Sequence, residues 1–224
     1  MMDNKEKKLE RMHAFAGTQV SENVYNLIMG AVVLWGVAIN IFMSQAFGEQ
    51  ICSMNYLVMI IVYFVGSFAS MFVVYGSSNP VVSFLGFTGL SVSMGLLLTY
   101  FVSYFEMGSI LLAFATTAVV TGAMMLAATI FPAFFKGLGR VLFFTLLITI
   151  IAELILSVVL GIGATFFDFL VVIIFCGYVG YDWARAQEYP KTIDNAIDSA
   201  ADIYVDVVNL FVRILSIIGK SKDW

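Results

Sequence analysis

QICSMNYLVMIIVYFVGSFASMFVVYGSSNPVVSFLGFTGLSVSMGLLLTYFVSYF, running from Gln50 to Phe105, contains no Asp, Glu, Lys or Arg. A bilayer core about 30 Å thick needs roughly 20 mainly apolar residues per crossing helix. The stretch is long enough for two crossings, and GSSNP at Gly76 to Pro80 supplies the turn chemistry that separates them. It predicts helices over 56–75 and 81–104. Outward from this centre, similar runs predict helices at about 24–43, 109–131, 139–161 and 165–184. The whole chain of 224 residues is 61% hydrophobic and 12% charged, which would leave a water-soluble fold short of polar surface. The expected class is therefore an all-α membrane protein, a bundle of about seven transmembrane helices. One helical domain spans 24–219, between an N-terminal segment at 1–23 and a short tail at 220–224.

The seventh helix is the least obvious. From about Ala200 to Gly219, Asp202, Asp206, Asn209 and Arg213 interrupt the Ile, Val and Leu, so hydropathy alone leaves the segment in doubt. Such a helix survives in lipid only when other helices surround it. It is read as a central seventh helix, with a re-entrant or interfacial helix as the alternative. Lys5, Lys7, Lys8 and Arg11 argue for a cytoplasmic N-terminus, and helix counting puts Lys136, Arg140, Arg185 and Lys191 on that same side. A full final crossing would leave Lys220 and Lys222 outside, against the trend. The first apolar run starts near Val24, too late and too long for a cleaved secretion signal. Basic nucleic-acid patches are absent, so no nucleic-acid partner is expected. Cys52, expected in a loop, and Cys176, within an apolar run, have no metal-like spacing.

Thr145, Thr149, Glu153 and Ser157 recur every fourth residue, and Thr88, Gly95, Thr99 and Ser103 form a similar face. Both faces suit close helix packing, with the hydroxyls bonded to their own backbone, or the lining of a polar conduit. Ionisable residues inside an apolar bundle carry more information, and here they are Glu153, Asp168, Asp182, Asp206 and Arg213. Asp168 is expected near a helix start and solvated. Glu153 is a packing residue or a functional one, with Arg213 as a candidate to neutralise it. Asp206 is placed one to two turns inside the last helix, at the depth of Asp182. Two poorly hydrated carboxylates share a proton, and on losing it they repel or recruit a cation. Asp194, Asp198, Asp202 and Asp206 also fall at four-residue spacing. They are either acids solvated at the positive end of a helix dipole or a funnel that concentrates cations. Carboxylate oxygens suit calcium, although no calcium-loop pattern is present.

Catalysis finds little support. The single histidine, His13, lies in the polar N-terminal segment, and no GxSxG, HExxH or phosphate-binding loop occurs. The enzymatic alternative is an intramembrane aspartyl protease using Asp182 and Asp206. Such proteases pair a Tyr-Asp with Gly-x-Gly-Asp, whereas the second acid here sits in IYVDVVN, so no enzyme is expected.

GYVGYDWARA, at Gly177 to Ala186, and AADIYVDVVNLFVRILSIIG, at Ala200 to Gly219, resemble the corresponding segments of the Bax-inhibitor-1-like membrane proteins. The resemblance implies a seven-helix fold with the last helix central and a pH-sensitive passive calcium leak. It also implies a di-aspartyl sensor at Asp182 and Asp206, where calcium would bind in passing as the transported ion and no cofactor is needed. Asp198, Asp202, Glu153, Asn209 and Arg213 are secondary candidates. In bacterial members a basic residue near the end of the second helix is thought to latch the pair. VVYGSSNP, at Val73 to Pro80, holds no Arg or Lys there. Some bacterial relatives instead restrain a membrane protease, which makes a regulatory partner protein the second functional reading. A bacterial inner membrane is the expected location.

Overall fold

A computed structural model describes residues 19–160 and 165–222, without the side chains of 157–160, 165 and 166. The expectations placed on Lys5, Lys7, Lys8, Arg11, His13 and the side chain of Ser157 lie outside the described residues. The helices are α1 (Glu22–Cys52), α2 (Tyr56–Gly76), α3 (Pro80–Val102), α4 (Met107–Ile130), α5 (Pro132–Gly137), α6 (Gly139–Leu160), α7 (Thr165–Ala186) and α8 (Ile193–Ile218). Six of them, α1 to α4, α6 and α7, are long and apolar enough to cross a membrane.

The helix starts follow from local chemistry. The side chains of Ser21, Asn55 and Asn79 accept hydrogen bonds from first-turn backbone N–H groups of α1, α2 and α3. Pro80 and Pro132 stand at first helical positions, where no N–H is missed. Pro132 also turns the segment expected to be a loop into the short helix α5. Two sequence-based boundaries need correction. Cys52 is the last residue of α1 and not a loop residue. The last helix begins at Ile193, seven residues before the expected start, because Thr192 Oγ1 accepts the Asn195 N–H at 3.2 Å and acids suit the first turn.

Outward faces are apolar. Leu57, Ile61, Val65, Phe68 and Phe72 of α2 form an exposed stripe, as do Val141, Phe144, Ile148, Ile151 and Ile155 of α6. In water such stripes would be untenable, and in a bilayer they meet acyl chains. From Asp194 to Ile217, by contrast, no residue of α8 is exposed. This enclosure is what a polar helix requires in lipid, and it makes α8 the central helix of the bundle.

The chain divides into two compact units: one holds the residues up to Ser103 with Ala186–Tyr204, the other Tyr104–Arg185 with Val205 onward. In the first, α1, α2 and α3 pack with the beginning of α8. Small residues set the spacing: a Cβ on Gly36 would stand 2.7 Å from the Tyr204 ring, and one on Gly86 2.9 Å from the Val74 backbone nitrogen. The Tyr25 hydroxyl joins Ala186 O, Asn195 O and Ser199 Oγ at 3.2, 3.3 and 3.1 Å, which ties α1 to both ends of the α7–α8 loop. Asn40 donates to the Tyr204 hydroxyl at 2.7 Å.

The second unit joins α4 to α7 with the rest of α8. The glycines of GYVGYD form its seam: Gly177 leaves room for Leu142, Gly180 for Phe135, and Gly139 for the Tyr181 ring. Trp183 bonds Thr129 across α7 and α4 at 2.9 Å.

The two ends of α8 are held at different places along the chain. In the first unit Thr192 bridges Gln19, just before α1. In the second, Ser221 bridges Phe105 and Lys220 O accepts the Glu106 N–H at 3.0 Å, beside the α3–α4 turn. Along the chain, three helices of spanning length separate Gln19 from Phe105, as they would the two ends of a crossing α8. Its 26 residues measure about 39 Å, enough for the crossing.

Candidate functional site

Asp206 stands at the midpoint of α8, 5% exposed. Because α8 starts at Ile193, Asp206 is about 20 Å along the axis from its start and not one to two turns inside it. Asp182 lies four residues before the end of α7, its side chain 11% exposed and 3.6 Å from the Arg185 guanidinium one turn on. Arg185 also lies over the Tyr181 ring at 5.5 Å, the ring seated against Gly139, so packing fixes where this cation stands.

Contacts between Asp168 and Ser216 set the antiparallel register of α7 and α8 in this unit. From that level Asp182 is about 21 Å along α7 and Asp206 about 15 Å along α8, an offset of about 6 Å. Side chains lean toward the N-terminus of their own helix, so on antiparallel helices these two lean toward one another. Tyr178 stands one turn before Asp182 on α7.

The other expected charges do different work. Asp168 is not solvated: its side chain is 3% exposed, its Oδ1 lies 2.6 Å from Arg213, and its Oδ2 accepts the Ser216 hydroxyl at 2.7 Å. A helix start is usually wet, but the far end of α8 covers this one. Arg213 also donates to both Glu153 oxygens, at 2.9 and 3.1 Å, as the sequence suggested. This parallel pair of bonds is the strong geometry for a guanidinium. One cation thus serves two carboxylates from α6 and α7.

The acidic stripe does not stay in solvent. Asp198 is buried, Asp202 accepts the Tyr75 hydroxyl at 2.5 Å and Asp194 accepts the Ser83 hydroxyl at 2.7 Å. Asn209 donates to the Val205 carbonyl of its own helix at 2.8 Å. The hydroxyl faces of α3 and α6 follow the packing alternative at several positions: Thr149 bonds Thr145 O, Thr88 bonds Phe84 O and Ser103 bonds Tyr100 O. Among the described residues no three His, Cys, Asp or Glu side chains form a group able to hold a metal ion.

Sequence reasoning missed Tyr75, Ser83 and Ser216, since hydroxyls are too common in such helices to stand out. A usable signal existed for Asp168 and Arg213. Counted outward from the α7–α8 loop, the two lie at similar distances, where antiparallel helices bring residues level.

Helices of spanning length, an enclosed polar helix and carboxylates held within the bundle define a multi-pass integral membrane protein. Residues 17–223 match the family model described as inhibitor of apoptosis-promoting Bax1, and the chain belongs to that Bax-inhibitor-1-like family. It is similar to two proteins of Helicobacter pylori, each described as an uncharacterized protein. The one from strain 26695 is 30% identical over 172 residues, covering 72% of each chain. The one from strain J99 is 28% identical over the same length and share.

Proposed function

We propose that this protein is a pH-gated passive leak for calcium and other cations in a bacterial cell membrane, with its N-terminus cytoplasmic. Asp182 and Asp206 form the sensor. The observation that carries the reading is the placing of these two poorly exposed carboxylates on antiparallel α7 and α8, about 6 Å apart along the axes and leaning toward one another. With a proton shared between them the pair carries one charge, and α7 and α8 stay together. When that proton leaves, two like charges face each other where water is scarce, and the pair separates or draws in a cation. Arg185 offers Asp182 a third course, a partner one turn away on the same helix. On this reading Arg185 stands in for the basic latch that the family resemblance implies at the end of the second helix, where VVYGSSNP holds no Arg or Lys.

Calcium entry into vesicles containing the purified protein, followed across pH, tests this. Wild type should leak in a pH-dependent way, and Asp206→Asn and Asp182→Asn should each flatten that dependence. Folded, inserted wild type that passes no calcium at any pH would end the leak reading. A membrane partner, such as a protease held in check, would then be the reading to pursue.

A further inference from the structure

We propose that Arg213 sets the valence preference of the leak, acting as a fixed positive charge near the end of α8 opposite its start. The inference rests on the cation-leak reading. Arg213 is seven residues beyond Asp206 on one continuous helix, so the two share a face, about 10 Å apart along the axis. Glu153 from α6, Asp168 from α7 and Ser216 from α8 converge on the same place, and one guanidinium answers two carboxylates. The side chains are unequally covered: Asp168 is 3% exposed, Glu153 19% and Arg213 25%. Arg213 and Glu153 are thus the partly open members of the cluster, and on the leak reading their charges are the ones a passing ion would feel.

Electrostatic work on a passing ion is proportional to the ion's charge. Whatever barrier Arg213 adds for a monovalent cation is doubled for a divalent one, so their rates differ by a square. Losing the Arg213 charge should help calcium more than sodium. Losing a carboxylate charge should hinder calcium more than sodium. A purely structural cluster makes no such distinction, because removing any member would loosen the same packing and move both ions together.

The test measures sodium and calcium entry into vesicles for wild type, R213Q, R213K, E153Q and D168N, each checked for folding by its unfolding temperature. Expected for R213Q is a gain of about threefold for sodium and about tenfold for calcium. E153Q and D168N should lower both ions, calcium by the larger factor, and R213K should stay near wild type. Equal factors for the two ions, or the same direction of change for R213Q and E153Q, would overturn the assignment. If R213Q fails to fold, E153Q and D168N decide: unaltered calcium-to-sodium ratios in both would overturn it. A wild type that conducts neither ion removes the leak reading itself, and this assignment with it. A wild type that conducts while the ratios ignore these substitutions removes this assignment alone.

Discussion

Arg213 and Glu153, sixty positions apart in the chain, are joined by two parallel hydrogen bonds of 2.9 and 3.1 Å, and Arg213 holds Asp168 at 2.6 Å as well. Removing different members of this cluster leaves different debts of charge. Arg213→Ala strands two carboxylates and should cost about 3–5 kcal/mol. Glu153→Ala leaves Arg213 with Asp168 and should cost about 1.5–3 kcal/mol. Chemical unfolding in detergent measures both, and equal costs would show that the charge imbalance does not matter.

Tyr204→Phe should destabilise the protein by about 1–3 kcal/mol. It removes the 2.7 Å bond from Asn40 and leaves a buried amide N–H without that acceptor. Tyr204→Phe combined with Asn40→Leu should recover part of the loss, since no buried donor is then stranded. Thermal unfolding of the single and double variants checks this, and a double variant no better than the sum of the singles would contradict it.

Gly86→Ala places a Cβ about 2.9 Å from the Val74 backbone nitrogen, which cannot rotate aside, and should cost about 1–3 kcal/mol. Gly30→Ala meets nothing within 4 Å and should be neutral, or stabilising by up to about 1 kcal/mol from helix propensity. A fall in unfolding temperature for Gly30→Ala as large as for Gly86→Ala would mean that α2–α3 packing is looser than described.

Lys191, in the α7–α8 loop, is held below the ordinary lysine value of 10.5 by burial, with the Glu22 charge opposing the shift. The Lys191 ammonium donates to Gln187 O at 2.9 Å and lies 4.4 Å from the centre of the Tyr25 ring. A lowered folded value means that the unfolded chain binds this proton more tightly. Stability from this group should therefore rise with pH between the folded value and 10.5, and show no slope well below the folded value. Wild type should gain on Lys191→Met as pH climbs through that window, measured by unfolding temperature. A wild type that loses unfolding temperature relative to Lys191→Met across that window would refute the direction of the shift.

The spanning helices were legible because their signal is local. A charge-free run from Gln50 to Phe105 with Asn79-Pro80 inside it must form two apolar helices, whatever surrounds them. The polar helix was legible too, from Asp202, Asp206, Asn209 and Arg213, and so was the need to enclose it. Its start was not. Thr-Ile-Asp-Asn reads equally as loop, and the Tyr25 hydroxyl beside Asn195 and Ser199 holds this stretch against α1.

Partnership among charges was legible only in fragments. The Arg213 and Glu153 pairing was suspected from chemistry alone, but Asp168 looked solvated because nothing local revealed that Ser216 and Arg213 cover it. Composition and helix-length apolar runs settle membrane residence and the six apolar spanning helices, because a bilayer imposes them on each segment separately. The meeting of Asp168 with Arg213 and the depth of Asp206 depend on how helices are rotated and slid along one another. Those are set by close packing at Gly177, Gly180, Gly36 and Gly86, where a displacement of one ångström decides which side chains touch.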